Sequence, residues 1–178
     1  MGPVCVLVGA PGAGKSTVGA LVAAALGVEF RDTDSAIEAT AGKPIPEIFV
    51  DEGEEHFRAL ERAAVAGALD TFDGVLALGG GAILAAENRA ALAGQPVVYL
   101  SVGLTDALRR VGLGAGRPLL AINPRATLRH LMEQRRPLYE EVAAATVVTD
   151  DRSAEEVAAE VVDVVTAWSA RRPAPEAR

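Results

Sequence analysis

Lysine is almost missing from this sequence: 17 of its 178 residues are basic, and only Lys15 and Lys43 are lysines. Cysteine is scarcer still. Cys5 stands alone, which excludes an internal disulfide, and its place in an apolar run makes it an inert core residue. The two histidines, His56 and His130, each lack a neighbouring histidine or cysteine, so no zinc site is expected. No apolar run is long enough for a membrane span. Residues 1–3 leave no room for a secretory leader, and a cytoplasmic enzyme is the expectation. Acidic residues outnumber basic ones, 24 to 17, for a net charge of −7. That balance argues against a general nucleic-acid binder, which carries a basic stripe.

What is present is half hydrophobic by composition and of ordinary single-domain length. A chain of this size buries about 70% of its unfolded surface and needs no staples. The ordering stretch is 4–17, Val-Cys-Val-Leu-Val-Gly-Ala-Pro-Gly-Ala-Gly-Lys-Ser-Thr. Its valine-rich start reads as a buried parallel strand. Gly9, Gly14, Lys15 and Ser16 then fall at G-x-x-x-x-G-K-[ST] spacing, and a helical pattern follows over 17–26. Glycines let successive N–H groups approach phosphate oxygens, and the helix turns its positive end on the same anion. Lys15 adds a mobile charge, and the Ser16 hydroxyl suits a hard cation such as Mg²⁺. A glycine turn that binds nothing is the plain alternative. The motif implies a nucleoside triphosphate and is silent on the acceptor.

Further along, Gly27 reads as a helix stop and 28–31 as a second strand. Asp32-Thr33-Asp34 follows, at the carboxyl edge of the sheet, where open α/β folds bind ligands. Asp and Thr also cap helices, and both roles are expected together. One carboxylate can hold Mg²⁺ through water while the other accepts a hydrogen bond from a hydroxyl. Gly42–Pro46 breaks the next helix, and 45–69 is mostly helical with an interruption near Gly53. By spacing alone, Arg58 is a helix-surface arginine paired with Glu54 or Glu61.

A third strand over 75–78 ends in Gly79-Gly80-Gly81. Such a run has no packing value of its own, so it marks either a close backbone approach to a ligand or a flexible turn. The strand lacks a terminal acid for Mg²⁺, which raises the weight on Asp32. Helices are read over 85–93, 105–111 and 123–145, with strands over 97–100 and 145–149 and a last helix over 154–168. The glycine-rich segment around Arg117 is either a closing lid or a linker with a solvated arginine. Residues 171–178 read as a disordered tail. The alternation gives one α/β domain, 1–170, with a five-stranded parallel sheet and helices on both faces; it does not fix the strand order.

Taken together, Gly9–Thr17, Asp32-Thr33-Asp34, Gly53-Glu54 with Phe57-Arg58 and Glu61, Leu78–Ala82, Arg117–Leu120 and Arg135–Tyr139 resemble shikimate kinase. The blocks follow the family's order and cover about 4–152. The resemblance implies a P-loop NMP-kinase-like three-layer sandwich, strand order 2-3-1-4-5, a substrate-binding segment over about 33–61 and a lid over about 112–124. It implies ATP and Mg²⁺ as cofactors and phosphorylation of the 3-hydroxyl of shikimate by a monomer. Asp34, Arg58, Gly80 and Arg136 would hold shikimate, with the arginines on its carboxylate and Asp34 on its hydroxyls. Gly12, Ala13, Gly14, Lys15, Ser16 and Thr17 would hold the nucleotide, with Arg152 near the adenine. Ser16 and Asp32 would serve the metal. Lys15, Asp34 and Arg117 would be catalytic, and Arg110 matches a nucleotide contact of some members. A related kinase acting on gluconate and a non-catalytic nucleotide-binding module are the competing readings.

Overall fold

A computed structural model describes residues 2–112 and 123–171. In chain order the elements are β1 (Cys5–Val8), α1 (Lys15–Leu26), β2 (Phe30–Asp32), α2 (Thr33–Ala41), α3 (Ile45–Glu52) and α4 (Glu54–Thr71). Then come β3 (Val75–Ala77), a 3₁₀ turn (Ala82–Leu84), α5 (Ala86–Leu92), β4 (Val97–Ser101), α6 (Leu104–Val111), α7 (Pro124–Val142), β5 (Ala145–Val148) and α8 (Ala154–Arg171).

All four pairings are parallel, in the order β2-β3-β1-β4-β5. Val6 pairs with Leu76 on one side and Val97 on the other, which puts the β1–α1 loop at the centre of the sheet's carboxyl edge. Cys5, Val6, Leu7, Leu76 and Leu100 are fully enclosed, as expected of a parallel sheet covered on both faces. α1 packs on α8, while α4, α5 and α7 gather around the 3₁₀ turn. Right-handed crossovers place these two groups on opposite faces.

Several boundaries differ from the sequence reading, each for a backbone reason. α1 starts at Lys15, two residues early, because Gly14 adopts a left-handed conformation (φ 89°) and launches the helix directly. β2 begins at Phe30 because Val28 donates its N–H to Ala23 and closes α1 in a Schellman arrangement. α7 stops at Val142, since Ala144 donates to Val97 and Ala145 joins β5 beside Val98. α8 continues to Arg171, so the first residue assigned to the tail is helical. Arg117 and most of the 112–124 segment, like 172–178, lie outside the described residues.

The segment between β2 and β3 has a small core of its own. Ile37, Ile48 and Phe57 form a buried cluster apart from the main one, with Phe49 packed on Phe57 at 4.8 Å between ring centroids. This second core shapes the platform that carries Asp34 and Arg58.

Candidate active site

The site begins with what α1 lacks. It has no side-chain cap and no acidic residue in its first turn, so its leading N–H groups and positive dipole end are left for an anion. The loop before it is braced from two sides. Ala13 donates to Ala10 at 3.1 Å. Arg110 reaches from α6 to the Gly12 carbonyl at 3.3 Å while holding both Thr149 oxygens, at 3.0 and 2.9 Å. Gly12, at φ 82°, has no room for a side chain, because a Cβ would sit 2.7 Å from the Ala107 carbonyl oxygen. Lys15 folds back over the loop, donating to Gly9 at 2.7 Å and Ala10 at 3.1 Å. Its ammonium is thus stationed where a phosphate chain would lie.

Ser16 donates to Asp32 Oδ2 at 2.7 Å. Asp32 Oδ1 meanwhile accepts from the N–H groups of Asp34, at 2.8 Å, and Ser35, at 3.3 Å, so the same residue caps α2. The capping half of the expectation for the Asp-Thr-Asp stretch is seen in this geometry. A hydroxyl and a carboxylate oxygen at one edge of the cavity are the donor types that a hard, oxygen-preferring cation takes. Among the described residues no group of three or more His, Cys, Asp or Glu side chains comes together as a metal-binding cluster.

A cavity of about 500 Å³ unites these parts: Gly12, Gly14, Lys15, Ser16, Thr17, Asp32, Asp34, Gly79, Gly80 and Arg110 line it. Ala13, the remaining loop residue, is buried.

The glycine run has a packing role that its sequence does not show. Gly81 has φ −97°, which any residue can adopt, so flexibility is not what requires glycine. A Cβ on Gly79 would overlap Asp34 Oδ1, and one on Gly81 would lie 2.5 Å from Arg58 Nη1. The run therefore has a packing value after all: it clears the volume that two polar side chains occupy. Thr33 holds the turn at its first residue, accepting from the Gly79 N–H at 3.1 Å.

Arg58 makes the contacts that helical spacing gives, to Glu61 at 2.8 Å and Glu54 at 3.5 Å. It is nonetheless not a solvated surface arginine, since only 17% of its side chain is exposed and it lies over Gly81. Glu61 is buried, and that burial raises its pKa against the pull of Arg58 and Arg135. Arg136 stands apart. It lines a second cavity of about 430 Å³ with Ala10, Tyr99 and Tyr139, and its side chain is 70% exposed and paired with Glu140 at 3.0 Å. Arg152 is held by Val148 at 2.9 Å and Glu160 at 2.6 Å, outside the lining of either cavity. Asp34 and Gly80 thus share one cavity, Arg58 packs over Gly81 outside its lining, and Arg136 and Arg152 are not brought into it.

Sequence reasoning gave no role to the buried groups behind these residues. Arg135 and Tyr139 lie in phase with buried Leu128 on α7, a periodicity that marks them as inward-facing. Tyr139 donates to the Gly80 carbonyl at 2.5 Å, and burial pushes its pKa up to about 12.

A family model described as shikimate kinase matches residues 11–166. A shikimate kinase from Salinispora arenicola is 70% identical over 167 residues, 94% of this chain and 100% of the relative. Among solved structures, the shikimate kinase from Acinetobacter baumannii in complex with shikimate superposes with a TM-score of 0.89 at 40% identity, covering 94% of each chain. A gluconokinase from Sinorhizobium meliloti covers 93% of each chain with a TM-score of 0.60 and 20% identity, a likeness of fold alone. The uncapped helix behind Lys15, the Ser16–Asp32 pair and the Asp34–glycine–Arg58 cluster are therefore features of a chain that belongs to the shikimate kinase family.

Proposed function

We propose that this chain transfers the γ-phosphoryl group of ATP to the 3-hydroxyl of shikimate, releasing ADP and shikimate 3-phosphate. One observation carries the reading: a phosphate-binding helix terminus and an acid-plus-arginine cluster face each other across a single glycine turn.

The 12–17 loop and the first turn of α1 receive the β- and γ-phosphates, and Lys15 turns from its own loop carbonyls to the transferring group. Arg117 joins it in neutralising that charge. Mg²⁺, when bound, offsets the negative charge spread over the β- and γ-oxygens. Ser16 is its direct protein ligand, and Asp32 acts on it through water. Asp34 accepts from the attacking hydroxyl and aims its oxygen. In phosphoryl transfer such positioning and charge stabilisation outweigh base strength. Arg58 and Arg136 grip the shikimate carboxylate with charge-assisted forks, which requires Arg136 to leave Glu140. The backbone of Gly80 completes that half.

Arg152 stacks on the adenine. Its N–H bond to Thr149, at 3.4 Å, puts it next to the residue that anchors Arg110 at the loop, which supports the assignment. The segment over 33–61 is the substrate platform and 112–124 the lid. The enzyme acts as a cytoplasmic monomer without nucleic acid or membrane. Among the described residues no helix is long and apolar enough to cross a membrane.

Coupled ADP release with shikimate and, separately, gluconate tests the reading. Turnover with shikimate is expected, and faster turnover with gluconate would overturn it.

A further inference from the structure

The four residues proposed to hold shikimate come from α2, α4, α7 and the glycine turn after β3, and no strand or helix joins them. The backbone of that turn is the softest of these parts, because three successive glycines lose the most conformational freedom on ordering. Tyr139 meets it there. The side chain is 1% exposed, its ring is stacked on Tyr99 at 5.1 Å, and its hydroxyl donates to the Gly80 carbonyl across 59 residues of sequence.

Arg135, also buried, lies near enough for its charge to act on both this hydroxyl and Glu61. Glu61 fixes Arg58, and Arg58 lies over Gly81. Two side chains therefore meet the turn, Tyr139 at the Gly80 carbonyl and Arg58 at Gly81. Because the peptide joining Gly80 to Gly81 is planar, holding its carbonyl also fixes the direction of the Gly81 N–H. Arg136 precedes Tyr139 by three residues on α7, so the Tyr139–Gly80 bond sets the height of that helix against the turn.

We propose that Tyr139 is a positioning residue for the acid-binding half of the site: its hydroxyl locks the glycine turn to the helix that carries Arg136. The raised pKa keeps this hydroxyl protonated, and therefore a donor. The inference rests on the functional reading above and adds one residue to it.

Tyr139→Phe removes one oxygen and keeps the ring stack. Leaving a buried acceptor unsatisfied should raise KM for shikimate by about tenfold, with kcat and KM for ATP changed less than about twofold. Equal rises in both KM values, or an unchanged KM for shikimate, would overturn the proposal. Amide hydrogen exchange on the protein without substrate provides a reading independent of turnover. Tyr139→Phe should speed exchange at residues 79–82 by about tenfold while α8 keeps its protection. Unchanged exchange there overturns the tie even if KM moves. A wild type showing no shikimate-dependent ADP release would instead overturn the functional reading, with the exchange arm still deciding whether Tyr139 fixes the turn.

Discussion

Arg58 and Glu61 are joined at 2.8 Å on the inner face of α4, and only 2% of the Glu61 side chain is exposed. Burial raises the pKa of Glu61 more than Arg58, Arg135 and Arg62 lower it. The folded state therefore holds this proton more tightly than the unfolded chain does. Its contribution is fully present below the ordinary carboxylate range and is lost as pH rises through the raised folded value. Compared by denaturant titration with Glu61→Gln, the wild type should lose relative stability as pH rises above the ordinary carboxylate range. A relative gain over that rise would mean that attraction to the arginines outweighs burial. Glu61→Ala, which leaves Arg58 only the more exposed Glu54, should cost about 3 kcal/mol.

Asp32 caps α2, and the proposed function gives it a second, separable duty beside the cation. Asp32→Asn keeps an oxygen for the α2 cap but loses the charge near the cation site, so it should fold normally and need more Mg²⁺ for half-maximal turnover. Asp32→Ala should in addition lower stability by about 1 kcal/mol through loss of the cap. An unchanged Mg²⁺ titration in both variants would remove Asp32 from the metal's surroundings. Lys15→Ala should abolish turnover with the melting temperature preserved.

Gly81→Ala tests whether the glycine run exists to clear space. The new methyl group meets the mobile end of the Arg58 side chain rather than backbone, so the fold should survive while Arg58 is pushed aside. KM for shikimate should rise by about tenfold or more, the scale of a lost charged contact. A variant with wild-type KM would show that Arg58 can reach the substrate from elsewhere.

Arg136 is exposed and, among the described residues, forms its ion pair with Glu140, one turn along the helix, so Arg136→Ala should leave the melting temperature nearly unchanged. Shikimate affinity should nonetheless fall by about tenfold or more while ATP affinity holds. Isothermal titration with each ligand separates the two, and equal weakening would refute the carboxylate role.

Cys5 is wholly enclosed in β1, and burial drives its pKa from 9.0 up to about 12. A thiol-specific disulfide reagent at pH 8 should leave the native protein unmodified and label one thiol per chain once it is unfolded in guanidinium chloride. Because the folded pKa is the higher one, stability should decline as pH climbs from 9 towards 12. Rapid labelling of the native protein would contradict the burial.

Motif spacing and glycine placement carried much of this protein into view. The 4–17 stretch specified strand, anion loop and helix together, because each needs residue types that the others exclude. The D-T-D stretch was legible in its capping role, since an aspartate before a helix is the residue type that takes its leading N–H groups. The packing value of the glycine run was missed. Its explanation lies in Asp34 and Arg58, which are distant in sequence and come to within a methyl group's volume of it only after β2 and β3 have paired.

Local chemistry along the chain thus settled the glycine-rich loop between strand and helix and the α/β alternation, since each depends on neighbours within a few positions. Alternation by itself left the strand order open, and the same local view made Arg58 a surface residue and gave Arg135 and Tyr139 no role. Only the folded chain decided those, because burial and the Tyr139–Gly80 bond arise where α4, α7 and the turn after β3 converge, and no single segment contains that meeting point.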